Sequence, residues 1–216
     1  MMDNHKICFI ICTNNLMYCD ECIYYISHLN VPNGFFIDVL TVTEAKSMTS
    51  GYNEAMGMSD AKYKVYLHQD TFIINLNFIS DILFIFQNNL SIGMIGMVGS
   101  MELDKDGIMW NVNRYGKLYE THVHETVLLE SEFEQDIAEV MVVDGFLMVT
   151  QYDIFWRQDL FTKWDFYDCS QSMEFRKAGY KVTVPRQQSP WSLHDCGFVN
   201  LENYEEERIK FINEYM

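Results

Sequence analysis

Basic side chains are scarce in this chain. Its 216 residues carry 15 Lys and Arg against 31 Asp and Glu, a formal charge of −16, so the cationic surface from which nucleic-acid affinity comes is missing. The same deficit disfavours anionic membrane surfaces. No apolar run is long enough to cross a bilayer: the first, residues 6–12 (KICFIIC), has the length of a strand, and no small-residue cleavage site accompanies it. A cytoplasmic, soluble protein with no transmembrane segment is therefore expected. Without a secretion signal, the cysteines at 8, 12, 19, 22, 169 and 196 are expected to be reduced. Internal repeats, low-complexity tracts and Pro/Gly/Ser linkers are also lacking, and residues 1–216 are read as one domain.

Apolar residues are plentiful, at 49%, enough to build a core. Residues 6–12 read as a first, central strand stopped by the polar Thr13-Asn14-Asn15. A helix over 16–29 follows, then a break at Pro32-Asn33-Gly34 and a strand over 35–41. Strand, helix and strand with short breaks form the unit of a parallel sheet, so the class is α/β. A short helix over 47–59, entered through Thr49-Ser50, leads into the strand Lys64-Val65-Tyr66-Leu67, which ends abruptly in His68-Gln69-Asp70. A helix over 76–89 and a buried strand over 92–98 come next. Gly93 and Gly96 mark a bulge or a close backbone approach. The span 118–156 holds nine acids and no Lys or Arg, the composition of a solvated, mobile surface. Residues 139–149 read as one strand interrupted by Asp144-Gly145. A helix over 169–178, a strand over 181–184, a loop over 189–197 and a closing helix over 201–215 complete the chain.

Several residues are candidates for chemistry. Asp70, with His68 and Gln69, stands at a strand end, where a carboxylate and an imidazole can hold a divalent ion; the plain alternative is a polar turn. Asp144 lies inside an apolar strand, where a charge is costly unless it is paired or faces a cavity; the alternative is a bulge with its carboxylate on the backbone. Asp168, three residues before Gln171, also reads as the N-cap of a capping box. His194 sits in a loop bounded by Pro190 and Gly197. His122 and His124 form a metal pair only if a third ligand exists, and are read as surface residues. Cys19 and Cys22 have the Cys-x-x-Cys spacing of a thiol oxidoreductase. The acids between them raise the thiol pKa, whereas a redox nucleophile needs it lowered.

Four segments together resemble the glycosyltransferase family 2-like group with the GT-A fold, most closely the branch named after a streptomycin-biosynthesis protein. They are 8–15, then Gly51-Tyr52-Asn53-Glu54-Ala55 leading to Tyr66-Leu67-His68-Gln69-Asp70, then Val143-Asp144-Gly145-Phe146, and finally 164–180 (WDFYDCSQSMEFRKAGY) with its Arg176-Lys177-Ala178-Gly179-Tyr180 ending. The resemblance implies a Rossmann-like, mixed and mainly parallel central sheet flanked by helices. It also implies transfer of a sugar from a nucleotide-diphosphate donor to a glycan or other hydroxyl acceptor, inverting and dependent on Mn2+ or Mg2+. By resemblance, Asp70 corresponds to the last acid of the Asp-x-Asp motif. Asp168 takes the place of the acceptor-activating base, and His194 that of a further metal ligand beside His68. Thr13, Asn15, Glu44, Asn53, Gln69 and Asp144 fall on the nucleotide-sugar side. Two positions depart from the pattern: His68 replaces the first acid of Asp-x-Asp, and Ser170 stands where a second acid is common. These departures motivate the alternative of a GT-A-fold protein that binds nucleotide-sugar or glycan without turnover. The acidic stretch 118–139 is read as an acceptor lid or a solvated loop.

Overall fold

In the computed structural model, which describes residues 2–216, the first half of the chain is organised around β1 (Asp3–Cys12). Its inner six residues are all buried, and they alternate between two cores, as a strand covered on both faces must. Ile7, Phe9 and Ile11 enter one core with Cys22 and Ile26 of α1 (Leu16–Ser27) and Phe78, Ile82 and Phe86 of α3 (Phe78–Asn88). Cys8, Ile10 and Cys12 enter the other with Met48, Tyr52 and Ala55 of α2 (Met48–Met58) and Phe175 of α4 (Tyr167–Lys177). Strands β2 (Phe36–Val42) and β3 (Ala61–His68) flank β1 in parallel.

Two sheets share the remaining strands. These are β4 (Thr71–Ile73), β5 (Ile92–Gly96), β6 (Val98–Ser100), β7 (Arg114–His122), β8 (Glu125–Ser131), β9 (Ile137–Val140), β10 (Val142–Val143), β11 (Leu147–Thr150), β12 (Lys181–Pro185) and β13 (Ser192–Gly197). The first sheet runs β2-β1-β3-β11-β5-β12-β9. The second runs β10-β6-β7-β13-β4, with β8 paired to β7, and a last helix, α5 (Tyr204–Tyr215), closes the chain. The first sheet is mixed: β1/β2, β1/β3 and β5/β12 are parallel, while β11 and β9 enter antiparallel. Among the described residues no helix is long and apolar enough to cross a membrane.

Four sequence expectations are corrected. The run over 92–98 is two strands in different sheets, broken at Met97. Gly96 is needed there because a Cβ would run into Val143. The run over 139–149 is three strands, β9 and β11 in the first sheet and β10 in the second, separated by Met141 and by an Asp144–Phe146 turn. Residues 192–197 of the expected loop form β13, because β4 and β7 offer unpaired edges on either side of it. The acidic stretch is an ordered hairpin of β7 and β8. Lys117, just before the lysine-free span, reaches both Glu130 and Glu132, and the hydroxyls of Thr121 and Thr126 meet across the strands at 2.9 Å.

Lys64 is fully buried in β3, and its ammonium donates to Asp153 Oδ1 at 2.7 Å and to the Ala61 carbonyl at 2.7 Å. Removing the carboxylate leaves a buried cation short of its charge partner, which costs several kcal/mol in such settings. Asp153→Ala is expected to lower unfolding free energy by about 3 kcal/mol in urea titration, and Lys64→Met with Asp153→Ala to recover part of that loss.

Candidate active site

Strands β1, β2 and β3 end at one edge of the sheet, with Cys12 in register with both Val42 and His68. Ligands of open α/β sheets bind beyond such carboxyl ends. A cavity of about 380 Å³ opens there, lined by Thr13, Asn14, Thr43, Met48, His68, Gln69, Asp70, Trp164 and Asp165 among others. A second cavity of about 310 Å³ adjoins it, lined by Glu120, Asp144, Asp168, His194, Cys196 and Tyr204 among others. His68, Asp70, Trp164, Asp165 and Asn200 line both, so the two are compartments of one cleft.

The junction of the compartments is built by a change of sheet. β3 belongs to the first sheet and β4 to the second, and only Gln69 and Asp70 separate them. β4 pairs with β13, His194 lies opposite Thr71, and the Asp195 amide donates to the Asp70 carbonyl at 2.9 Å. As a result His68 Nδ1 and His194 Nε2 lie 3.4 Å apart. Asp70 Oδ1 is 3.4 Å from that His194 nitrogen and 3.9 Å from the His68 nitrogen. Asp70 Oδ1 is buried and makes no well-aligned hydrogen bond; the imidazoles of His194 and, further off, His68 are what face it.

Two imidazoles and a carboxylate converging on one point fit a divalent cation. Nitrogen donors suit Mn2+ or Zn2+ better than Mg2+, which prefers an all-oxygen shell. Burial and the neighbouring His194 push the His68 pKa down to about 4, leaving a neutral imidazole of the kind that ligates metals. Burial opposes charge on both Asp70 and His194, yet their mutual contact prevails: the carboxyl pKa falls and the imidazole pKa rises.

Asp168 is not the N-cap of α4. That position is Phe166, in the left-handed region at φ 54° and held by packing against Tyr204 and Phe211. A non-glycine residue there stores strain of the kind found at functional sites. Asp168 lies instead in the first helical turn, where its Oδ2 accepts from the Gly145 amide at 2.9 Å and its Oδ1 from the Cys169 amide at 2.8 Å. Gln171, the expected capping partner, turns to the Ile154 carbonyl. Burial raises the Asp168 pKa against these two N–H contacts.

Asp144 and Asp165 share the cleft. Burial and then Asp168 push Asp144 up to about 7, and the same two effects with Glu207 push Asp165 up to about 6. The Asp144 carboxylate accepts from the Phe146 amide at 3.3 Å, but Asp144 stands in the turn between β10 and β11 rather than in a bulge, and it lines the cavity.

Of the nucleotide-side candidates, Thr13 and Gln69 line the cleft. Gln69 Oε1 accepts from Thr13 Oγ1 (2.7 Å), Asn14 N (3.0 Å) and Asn15 N (2.9 Å), which pins the 13–15 loop. Asn15 caps α1 through the Met17 amide. Asn53 is turned to the Trp156 backbone and Gln158, and Glu44 lines a separate depression with Glu54. The structure therefore does not bring Asn15, Glu44 or Asn53 to the cleft wall. Ser170 points away as well, its hydroxyl 2.9 Å from the Tyr215 hydroxyl.

Sequence reasoning passed over Tyr167, whose hydroxyl makes a short hydrogen bond to His68 Nε2, and over Trp164 and Asp165, although all three lie in the WDFYD segment. Glu120 and Cys196 were hidden in an acidic run and a supposed loop. Cys19 and Cys22 are buried, and burial pushes both thiol pKa values up, the reverse of what redox chemistry needs.

A family model described as "Glycosyltransferase like family" matches residues 8–215, and the chain belongs to that family. Its fold is shared with solved structures of low sequence identity. S. aureus TarS aligns with TM-score 0.60 and 12% identity, covering 94% of this chain and 38% of TarS. The TarS 1-349 fragment in complex with UDP-GlcNAc gives 0.59 and 11%, covering 98% and 68%. Mannosyltransferase PcManGT from Pyrobaculum calidifontis, in complex with GDP-Man and Mn2+, gives 0.59 and 10%, covering 94% and 60%. The chain thus spans well under half of the TarS chain it matches. No curated protein matches the sequence.

Gly145 explains why an Asp-Gly pair precedes β11. A Cβ there would strike the Tyr167 hydroxyl and press on Asp168 Cβ at 3.0 Å. Gly145→Ala is expected to lower stability by about 1–3 kcal/mol through overpacking. Gly57→Ala, in α2 with open space around it, should be neutral or stabilising by about 0.5–1 kcal/mol. Denaturant midpoints of the two variants check the contrast.

Proposed function

We propose that the protein is an inverting, divalent-metal-dependent glycosyltransferase that moves a sugar from a nucleotide diphosphate to an acceptor hydroxyl. The observation that carries this reading is the charge of the cleft. It is lined by Asp70, Glu120, Asp144, Asp165, Asp168 and Glu202, and by no Lys or Arg among the described residues. A diphosphate enters such a cleft only with a counter-ion, and the cleft's one convergent ligand set outside β7, that of His68, Asp70 and His194, stands at the junction of its two compartments. When bound, a divalent cation there offsets the charge of the diphosphate and of the departing nucleotide.

The chain's own residues supply the rest. The Thr13–Asn14 loop, pinned by Gln69, forms the nucleoside end of the cleft. Half-exposed Trp164, common to both compartments, offers a flat apolar face for a sugar ring. Asp168, in the far compartment, accepts the proton of the attacking hydroxyl. Its raised pKa makes it a stronger base than an exposed aspartate, while the Gly145 and Cys169 amides keep it oriented and ionisable. Attack from the far compartment on a sugar whose diphosphate sits at the junction is a single displacement with inversion. The finer placement in the streptomycin-biosynthesis-related branch rests on resemblance over the four segments together, 8–15, 51–55 with 66–70, 143–146 and 164–180. The relatives' ligands supply the donors to try first.

Binding of UDP-GlcNAc and GDP-mannose with Mn2+, followed by a transfer and hydrolysis assay, separates transfer from binding without turnover. Asp168→Asn is expected to keep donor affinity and to lose roughly 10²–10⁴-fold in turnover. Chelation, or Asp70→Ala, is expected to abolish donor binding. Unchanged nucleotide affinity in both would remove the metal role of Asp70, and wild-type binding with neither transfer nor hydrolysis would leave a binding protein.

A further inference from the structure

A second group of donor atoms lies outside the Asp70 cluster. β7 and β13 run parallel, with Glu120 opposite His194 and His122 opposite Gly197; the register shifts between those two pairs. Within that irregular stretch Cys196 Sγ stands 3.3 Å from His122 Nδ1, 4.0 Å from His122 Nε2 and 3.2 Å from the Thr121 carbonyl. His122 Nε2 is 3.4 Å from Glu120 Oε2. One thiol, one imidazole and one carboxylate therefore place ligand atoms within 4.8 Å of one another.

We propose that Glu120, His122 and Cys196 form a second cation site, distinct from the His68, Asp70 and His194 site, that takes zinc or another thiophilic divalent ion. The donor set selects the ion. A thiol is a poor ligand for Mg2+ or Ca2+, whereas sulfur, nitrogen and oxygen donors together are ordinary for zinc. A tetrahedral ion with bonds of about 2.3 Å to sulfur and about 2.0–2.1 Å to nitrogen and oxygen sets neighbouring donors roughly 3.3–3.6 Å apart. With His122 Nε2 as the nitrogen donor, the 3.4 Å separation from Glu120 Oε2 already matches that spacing, and the 4.0 Å separation from Cys196 Sγ closes with a small turn of the imidazole. On binding, Cys196 loses its thiol proton to solvent and His122 coordinates as the neutral ring.

Position supports the assignment as well. Cys196 alone among the six cysteines is not buried. Both it and Glu120 line the compartment that holds Asp168, so a fourth coordination position opens onto the acceptor side of the cleft. No residue is shared with the Asp70 cluster, and the proposal stands whether or not the chain transfers sugar.

Cobalt(II) is the probe, because a thiolate bound to it gives a ligand-to-metal charge-transfer band that nitrogen and oxygen donors do not. Titration of the protein with cobalt is expected to produce this band at the amplitude of one thiolate-bound cobalt per chain, whatever cobalt the Asp70 cluster also takes, and to lose it on addition of zinc. Cys196→Ser should abolish the band, and Asp70→Ala should retain it. His122→Ala and Glu120→Gln should weaken cobalt binding at this site by roughly tenfold or more, with thermal unfolding of the metal-free chain unchanged. Absence of the band in the wild type, its survival in Cys196→Ser, its loss in Asp70→Ala, or unchanged affinity in both His122→Ala and Glu120→Gln would each overturn the proposal.

Discussion

The cleft depends on a change of sheet completed in two residues. β3 lies in the first sheet and β4 in the second, and the chain passes between them through Gln69 and Asp70 alone. Backbone pairing then does the positioning: β13 adds to β4, and the Asp195 amide bonds the Asp70 carbonyl. His194 is thereby fixed against a residue 124 positions earlier without any side-chain preference being needed. Strand pairing holds donor atoms more firmly than loops do, because each ladder bond is itself buried and cooperative. His68, the last residue of β3, shares this rigidity, and Tyr167 at the start of α4 holds its second nitrogen. Metal ligands are commonly oriented through that outer nitrogen.

Charge is the second constraint. Burial in the cleft, and then the charge of neighbouring Asp168, push Asp144 and Asp165 toward protonation, as far as about 7 and about 6. Asp70 moves the other way because two imidazoles face it. One cleft therefore separates its acids into a group held ionised and a group raised toward neutrality, the pattern by which ligand and proton-transfer roles are divided among like side chains. The Ser170 departure looks different in this light. Ser170 faces Tyr215 on α5 rather than the cleft, and Asp144 and Asp165 supply the second and third carboxylates near Asp168. These come from a strand turn and from the residue just before the strained Phe166, not from the next turn of α4.

Much of the architecture was legible because it rests on local pattern. The continuous apolar run of 7–12 is that of a strand buried on both faces, and the helices at 16–27, 48–58 and 78–88 lie close to where apolar spacing and caps put them. What escaped was decided by pairing across long distances. Residues 192–197 carry the Pro, Ser and Gly neighbours of a loop, and they become a strand only because two edges stand ready to accept it. The acidic hairpin was unreadable from its own charges, since the lysine that pairs with Glu130 and Glu132 precedes the run. Asp168 had the spacing of a capping box, but Gly145 brings another amide to its carboxylate and Gln171 finds a carbonyl elsewhere. Asn53 sits in a motif segment and yet holds the Trp156 loop, a contact 103 residues away that spacing does not reveal.

The same pairing explains why the cleft wall is rich in donors. A strand presents every second side chain to one face, and β7 and β13 lie side by side beside the cleft. Glu120 on one and His194 and Cys196 on the other consequently line a single compartment. His194 looks toward the β3–β4 crossing and joins Asp70, whereas Cys196 looks along β7 and joins His122. Had β13 been the loop its composition suggests, neither histidine would have a fixed partner, and the apolar Phe146 ring stacked on His194 would have no plane to rest against. Strand β13 thus gives an unremarkable Leu-His-Asp-Cys sequence two fixed side chains, His194 facing Asp70 and Cys196 facing His122. The residues at and just after the end of β3, His68-Gln69-Asp70, face His194 only through a strand formed near the end of the chain.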